Sequence, residues 1–236
     1  MGNLGGFFHF WSPQILPIYI GYDAREAQAW HVCAQSIIEQ ASGPVQIIPL
    51  NDKLTSNGGG TNAFHRCRFL VPDLQHWQGW AIFCDSDMLW RTDPYALLDL
   101  KDNYCAVQVV QHDYATRHPR KYVGSAMESD NLDYPRKNWS SLMLWNCGHR
   151  KNRVLDPEYV ADAPSQTLHR FEWLPEQYVG SLSPTWNHLV GEQPRNLGAK
   201  VYHWTLGVPT LDGGFYAQAE GADEWIETLT RANRCG

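Results

Sequence analysis

Two aspartates separated by one serine, Asp85-Ser86-Asp87, are the residues of this sequence best suited to chemistry. They follow the apolar run 80–84, which predicts a buried strand, and strand side chains alternate, so both carboxylates should point the same way. Carboxylates this close repel each other unless a cation lies between them. Since Mg²⁺ and Mn²⁺ take oxygen ligands and often add substrate phosphates, the pair predicts a metal site that binds a diphosphate. The alternative is an acidic turn after the strand.

The elements ahead of the aspartate pair predict how it is positioned. Residues 17–22 predict a first strand, Asp23 is a candidate N-cap for a helix that runs to Gln40, and residues 45–50 predict a second strand. Such a βαβ unit builds a parallel sheet that binds ligands beyond the carboxyl ends of its strands. We therefore expect Tyr22, Asp23 and the aspartate pair to lie at one edge of an α/β sheet.

The rest of the sequence predicts further elements. Strands are expected over 104–111, 139–146 and 199–204, and helices over 63–74, 94–100 and 217–233. Segment 51–62 contains three consecutive glycines and predicts a loop, although it lacks the motif of a P-loop or of a dinucleotide-binding turn. Segment 174–187 predicts irregular structure.

A long polar segment, residues 112–138, separates two predicted strands. A loop of this length within a domain is usually functional or disordered. Its basic side chains could face either a bound phosphate or solvent, and the pattern leaves both alternatives open. They are Arg117, Arg120, Lys121, Arg136 and Lys137.

Composition narrows the classes of function. The 236 residues carry a net charge of -6, which gives no electrostatic basis for binding nucleic acid or an anionic membrane. The 11 tryptophans suit either a sugar-binding surface or an aromatic core. The six cysteines include no C-x-x-C pair, which indicates a reducing, cytoplasmic compartment without a disulfide framework. No apolar run approaches the roughly 18 residues of a transmembrane segment.

Short motifs in a fixed order give the sequence a recognisable pattern. They are Ile18-Tyr19-Ile20-Gly21-Tyr22-Asp23, Phe64-His65-Arg66-Cys67-Arg68-Phe69, Asp85-Ser86-Asp87, Ser140-Ser141, Glu176-Gln177, Trp186-Asn187 and His203-Trp204-Thr205-Leu206-Gly207. Their order resembles that of GT-A-fold glycosyltransferases. From about Ile18 to Trp225 the chain is similar to the glycogenin and lipopolysaccharide-galactosyltransferase family, and more so to uncharacterised bacterial and phage glycosyltransferase-like proteins.

This resemblance implies a fold and assigns different binding functions to the two halves of the chain. The expected fold is α/β: a single Rossmann-like GT-A domain over residues 1–236, with a central mixed, mostly parallel sheet flanked by helices. Residues from about 15 to 100 would form the nucleotide-binding half, which ends in the D-x-D motif. Residues 101–236 would form the half that binds the sugar and the acceptor.

The resemblance also implies roles for individual residues. Asp85, Asp87 and His203 are the expected ligands of Mn²⁺ or Mg²⁺, and the expected donor substrate is a UDP-sugar. Gln177 would lie against the sugar in a retaining reaction, which we favour, whereas Glu176 would be the base of an inverting one. The residues expected at the nucleotide-sugar are Tyr22, Asp23, Arg66, Ser86, Ser140, Ser141, Trp186, Asn187 and Gly207.

One segment departs from the resembled family. The family follows His-x-x-Gly with a lysine that neutralises the diphosphate, but here the residues are Val208-Pro209-Thr210. We expect Lys137, or an arginine of segment 112–138, to supply that charge. Lys137 is favoured because the strand that follows it fixes its position.

Together these features predict a metal-dependent glycosyltransferase. It would transfer a hexose from a nucleotide-diphosphate sugar to a glycan, lipid or protein acceptor that the sequence does not identify. Two alternatives stay open: a non-catalytic nucleotide-sugar-binding module, and a D-x-D-type phosphatase in which the first aspartate is the nucleophile. Release of UDP from a donor distinguishes the glycosyltransferase from the binding module and the phosphatase.

Overall fold

A computed structural model describes residues 15–51, 64–211 and 216–234. The strands in these ranges are β1 (Leu16–Gly21), β2 (Val45–Leu50), β3 (Trp80–Cys84), β4 (Met88–Trp90), β5 (Val107–Val110), β6 (Arg120–Lys121), β7 (Ser129–Asp130), β8 (Leu142–Asn146), β9 (Val179–Leu182), β10 (His188–Leu189) and β11 (Val201–His203). The helices are α1 (Ala27–Gln40), α2 (Val71–Leu74), α3 (Pro94–Leu98), α4 (Pro157–Asp162), α5 (Ser165–His169) and α6 (Ala222–Ala232).

The central sheet has six strands in the order β2-β1-β3-β8-β5-β9. The pairs β2–β1, β1–β3 and β5–β9 are parallel, whereas β8 runs antiparallel to both of its neighbours. This mixed, mostly parallel sheet with helices confirms the predicted α/β architecture. Strands from both halves of the chain belong to it.

The central strands are mostly apolar, as expected for a sheet that is covered on both faces. On one face Ile18, Ile20 and Ile82 pack with Cys33 and Ile37 of α1 in one buried cluster. On the other face Tyr19 and Phe83 belong to a second cluster, which also contains residues of α2, α4 and α5. Alternation of side chains along each strand thus divides one apolar sequence between two cores.

A second sheet begins where the first one ends. β4 pairs antiparallel with β11, and β11 pairs parallel with β10. Because β3 belongs to the central sheet and β4 to this smaller one, Asp85-Ser86-Asp87 forms the link between them. The β4–β11 register places Met88 opposite His203, which brings that histidine beside the link.

Several predicted elements differ from the structure. The helix expected over 63–74 is a 3₁₀ turn, Cys67–Leu70, followed by the four-residue α2. The strand expected over 104–111 is limited to Val107–Val110, and the terminal helix begins at Ala222 after Gly221 with φ of 74°. The glycine-rich segment expected as a loop lies almost entirely outside the described residues.

The prediction of irregular structure over 174–187 was wrong in its middle. Residues 179–182 form β9, the edge strand that pairs with β5. Pro175 and Pro184 flank this four-residue strand, and Gly180 lies within it, so the local composition resembles that of a loop. Tertiary pairing, rather than local preference, makes it a strand.

None of the helices within the described ranges is long and apolar enough to cross a bilayer. The five cysteines in those ranges are buried free thiols.

Replacing Gly180 should test the edge strand. A Cβ atom there would lie 2.6 Å from Cγ of Gln108 and 2.7 Å from Sγ of Cys105. Gly180→Ala should therefore lower the free energy of unfolding by about 1–3 kcal/mol through overpacking. Gly198→Ala is the matched control, because its Cβ would approach nothing closer than 3.4 Å. Urea denaturation measures both variants, and equal stabilities would contradict this packing of β9 on β5.

Candidate active site

A cavity of about 600 Å³ opens beside the link between the two sheets. Asp85 and Asp87 line it from the link, and His203 and Thr205 from the end of β11. Segment 112–138, the 3₁₀ turn Trp139–Ser141 and helix α5 contribute the other lining residues, together with His65 and Arg68. The cavity therefore combines residues from both halves of the chain, and its size suits a small-molecule ligand.

Three side chains in this cavity form a cluster suited to a metal ion. Asp85, Asp87 and His203 each offer one ligand atom, and these atoms all lie within 4.8 Å of one another. The backbone holds them in place: Asp85 N donates to Ser141 O at 2.8 Å, and Trp204 N donates to Asp87 O at 3.0 Å. The backbone of the link is thus held at both ends, by residues next to β8 and next to β11.

The histidine of the cluster is oriented by a buried amide. Nδ1 of His203 lies 2.9 Å from Oδ1 of Asn187, and Nδ2 of that asparagine donates to Oγ of Ser141 at 2.8 Å. Because Oδ1 can only accept, Nδ1 carries the proton in this network, and the lone pair of neutral imidazole is left on Nε2. Metal-ligating histidines are commonly oriented in this way.

The carboxylate oxygens of the cluster fit a cation. Nε2 of His203 lies 3.3 Å from Oδ1 of Asp87, so two acceptors face each other unless a cation or a proton lies between them. Nη1 of Arg68 lies 2.9 Å from Oδ1 of Asp85. Neither Oδ1 atom accepts a well-formed hydrogen bond within the described part of the chain, although both are buried. Two carboxylates and an imidazole of this kind suit a divalent cation.

Burial strongly affects the charge of the first aspartate. Desolvation raises the pKa of Asp85 to about 6, while Arg68 opposes the shift and Asp87 adds to it. Arg68 is only 4% exposed, and Nη1 also donates to Ser140 O at 2.9 Å. This guanidinium therefore stabilises the ionised form of Asp85 and connects it to the Ser140 side of the cavity.

A serine and two histidines form the neighbouring wall. Oγ of Ser140 lies 2.7 Å from Nδ1 of His169, and the rings of His169 and His65 stack with centroids 5.9 Å apart. Burial lowers the pKa of His169 well below its usual value, and Arg68 adds to that shift. This imidazole is neutral at neutral pH, so the wall is polar rather than cationic.

The structure brings only some of the predicted donor residues to this cavity. Ser140 and Ser141 line it, and Asn187 lies behind His203. Ser86 is 1% exposed and does not line it. Trp186 is fully buried against Trp90 at 6.2 Å, which indicates a structural role.

The first helix keeps Tyr22 and Asp23 away from the cavity lining. The ring of Tyr22 packs edge-on against Trp30 at 6.2 Å. Asp23 accepts from the backbone N of Arg25 at 3.0 Å and from its guanidinium at 2.6 Å, so this carboxylate caps the 3₁₀ turn Ala24–Glu26 that precedes α1, whereas the prediction had it cap the helix itself.

Gly207 is required by packing. Its φ of 142° suits glycine, and a Cβ there would lie 2.5 Å from the ring of Tyr216. The residue does not line the cavity, and the contact with Tyr216 accounts for its lack of a side chain.

The structure places Arg66 away from the cavity, where the sequence had predicted a contact with the donor. Nη1 of Arg66 donates to the backbone oxygens of Val160, Ala161 and Ala163 at 2.7–3.2 Å, so this side chain caps the end of α4. Arg68, two residues later, lines the cavity instead.

Lys137, predicted to contact the diphosphate, does not line the cavity either. Its Nζ donates to Oγ1 of Thr116 at 2.9 Å and to Oδ1 of Asn131 at 2.7 Å, within segment 112–138. Lys121, from the same segment, lines the cavity.

The proposed catalytic pair lies outside the cavity lining. Glu176 is 84% exposed, and its nearest cation is Nη2 of Arg136 at 3.5 Å. Gln177 is exposed as well. Both residues lie in the 3₁₀ turn before β9, a strand that the sequence did not reveal, and the position of that strand sets theirs.

Comparison with known proteins gives the chain a family. No family model matches the sequence. Protein CDI of Arabidopsis thaliana is 38% identical over 231 residues, covering 92% of this chain and 87% of that protein. The chain belongs to the family of protein CDI.

Solved structures assign the fold of this CDI-family protein. The galactosyltransferase LgtC, in complex with donor and acceptor sugar analogues, matches with a TM-score of 0.59 at 13% identity, covering 94% of this chain and 98% of that chain. Apo WbbM, a bifunctional glycosyltransferase, matches with a TM-score of 0.58 at 13% identity, covering 92% of this chain and 50% of that chain. The CDI-family protein therefore has the GT-A fold of glycosyltransferases, which confirms the predicted resemblance.

Sequence reasoning missed one side of the cavity in this CDI-family protein. Ser165, Gln166, His169 and Arg170 line it from α5 and the residue that follows. No motif marks this stretch, and α5 has only five residues. Hydrogen-bonding side chains after Pro164 were the only available signal, and that signal is common at helix starts.

The buried carboxyl group of Glu26 should make the free energy of unfolding depend on pH. Burial raises the pKa of Glu26 to about 8, and Asp87 and Asp23 add to the shift. Its Oε1 lacks a hydrogen-bond partner in the described ranges. Because the folded state retains a proton that the unfolded state has lost, stability falls as pH rises from about 4.5 to about 8, by at most ~1.4 kcal/mol per pH unit.

Glu26→Gln should remove this dependence. The amide has nearly the same shape as the carboxyl group and cannot ionise. The variant's gain in melting temperature over the wild type, measured in EDTA, should therefore grow between pH 5 and pH 8. Parallel curves for the two proteins across that range would show that Glu26 is not held in its neutral form.

Proposed function

We propose that this CDI-family chain is a metal-dependent glycosyltransferase that transfers a hexose from a UDP-sugar. One observation carries the proposal: Asp85, Asp87 and His203 place their ligand atoms within 4.8 Å in a cavity of a GT-A fold. These residues would hold Mn²⁺ or Mg²⁺. The bound ion would supply charge stabilisation for the leaving nucleoside diphosphate.

The protein's own residues prepare the site for such a ligand. Asn187 directs Nε2 of His203 into the cluster, and Arg68 keeps Asp85 ionised. LgtC was solved with donor and acceptor sugar analogues. By analogy, we propose that residues 15–100 mainly bind the nucleotide and residues 101–236 bind the sugar and the acceptor, a glycan, lipid or protein.

The sugar would meet the polar wall of the cavity. Ser140, Ser141 and Gln166 line it with groups that can donate and accept hydrogen bonds, as sugar hydroxyls require. Arg68 reaches the same wall through Ser140 O. The wall thus offers neutral hydrogen-bonding groups beside the guanidinium of Arg68.

The carboxylates that line the cavity favour a retaining reaction. An inverting reaction needs a carboxylate base next to the acceptor hydroxyl. Among the described residues three aspartates line the cavity, and two of them belong to the metal cluster. The third, Asp133, accepts hydrogen bonds from both N and Oγ1 of Thr116, which lower its pKa and make it a weak base.

Nucleotide binding should require the metal. Calorimetry with UDP should show binding in Mn²⁺ and a large loss of affinity in excess EDTA, because the carboxylate pair would otherwise repel the diphosphate. Asp87→Asn should abolish the metal effect. Its melting temperature in EDTA should hold or rise, since one of two repelling charges is removed. Equal UDP affinity with and without Mn²⁺ would remove the metal from the proposal.

An assay of turnover distinguishes the proposed glycosyltransferase from the two alternatives, a binding module and a phosphatase. UDP release from a panel of UDP-hexoses with Mn²⁺ indicates a transferase or a hydrolytic side reaction of one. Binding of a UDP-hexose without release indicates a nucleotide-sugar-binding module. Hydrolysis of p-nitrophenyl phosphate that is lost in Asp85→Asn would indicate the phosphatase.

A further inference from the structure

We propose that Lys121, on the short strand β6, binds the diphosphate of the nucleotide ligand. This inference rests on the proposed function and names the residue that supplies the positive charge missing from Val208-Pro209-Thr210. The argument depends on which cations line the cavity, which of them are already paired, and how β6 is held.

Among the residues that the structure describes, the lysine and arginine side chains that line the cavity are Arg68, Lys121 and Arg170. Arg68 contacts Asp85 at 2.9 Å, and Nη1 of Arg170 lies 3.8 Å from Oε1 of Glu172. Lys121 makes neither an ion pair nor a side-chain hydrogen bond with any residue that the structure describes. Its recorded contact is with the ring of Tyr122, whose centroid lies 5.4 Å from Nζ. Of these three described side chains, Lys121 is therefore the one without a carboxylate partner, which leaves its charge available to a ligand.

The position of Lys121 is fixed by its neighbours. β6 pairs antiparallel with β7, and Lys121 lies opposite Ser129. The next residue, Tyr122, is 2% exposed, and its N donates to Leu206 O at 2.6 Å. This bond joins the hairpin to the segment that follows His203. The ammonium group is thus carried by a fixed backbone beside the metal cluster.

The deeper part of segment 112–138 supports the same position. Oε1 of Glu192, which is 2% exposed, accepts from Nδ2 of Asn131 at 2.9 Å, and its Oε2 accepts from N of Arg117 at 2.7 Å. These bonds anchor the segment on both sides of the hairpin. Lys121 therefore belongs to a built wall of the cavity.

The charges around Lys121 explain why its ammonium group would bind a diphosphate. Desolvation lowers the pKa of Lys121, and the negative charges of Asp87 and Asp85 oppose that shift. A divalent cation bound to both aspartates would offset those negative charges. The ammonium group would then lack a counter-charge in a partly desolvated cavity, which is unfavourable. A diphosphate that bridges the metal and Lys121 restores the balance and forms a charge-assisted contact.

A competing role is that Lys121 only offsets the repulsion between the two aspartates. Its Nζ lies within 4.0 Å of none of the carboxylate oxygens in the described chain, since it forms no ion pair there. The two roles predict different effects on ligands: charge offset affects Mn²⁺ and the fold, whereas contact with the ligand affects UDP but not uridine.

Calorimetry on the full chain with saturating Mn²⁺ tests the proposal with UDP and uridine as probes. Lys121→Ala should weaken UDP binding by about 10- to 100-fold, as expected for a lost hydrogen bond to a charged group. Uridine binding should be unchanged, because uridine has no phosphate. Lys121→Arg, which keeps the charge, should retain most of the UDP affinity.

Lys101→Ala is the matched control, because it removes the same charge from an exposed side chain outside the cavity lining. It should bind UDP like the wild type. UDP affinity in Lys121→Ala equal to that of the wild type, or an equal loss in Lys101→Ala, would overturn the assignment while leaving the proposed function standing. If the wild type binds none of UDP, ADP, GDP and CDP in Mn²⁺, the proposed function and this inference fall together.

Discussion

The mutual repulsion of Asp85 and Asp87 is the constraint to which the surrounding structure responds. The two carboxylates lie in one short link, largely removed from water, where like charges are costly. Arg68 faces the first and His203 the second, yet each aspartate retains a buried oxygen without a hydrogen-bond donor in the described ranges. The repulsion is therefore reduced but not removed, which leaves the cluster suited to a divalent cation.

The fold creates this arrangement by changing sheets at the aspartates. β3 ends in the central sheet and β4 begins in the smaller one, so the link cannot continue a regular strand on either side. The β4–β11 register brings His203 to the link from about 115 residues later in the chain. Asn187 and Ser141 then fix the imidazole from behind. A catalytic metal site needs such supporting contacts to hold its geometry.

The sequence predicted the elements whose signals are local and missed side chains whose positions depend on tertiary packing. β2 was predicted to the residue, and the family resemblance named the three residues that the structure brings into one cluster. Residues two apart on a helix point in nearly opposite directions, so either Arg66 or Arg68 could have faced the cavity, and the pattern could not decide. The sequence could not decide between Lys121 and Lys137 either, because Lys121 lies on the β6–β7 hairpin, which has only two residues in each strand and therefore leaves little pattern.

The location of the metal tests the account most directly. Crystals grown with Mn²⁺ and UDP should give an anomalous difference peak at roughly 2.0–2.3 Å from one oxygen of Asp85, one oxygen of Asp87 and Nε2 of His203. The diphosphate should complete the coordination of the ion. Bound UDP with the manganese peak absent from these three residues, or located at other side chains, would contradict the account.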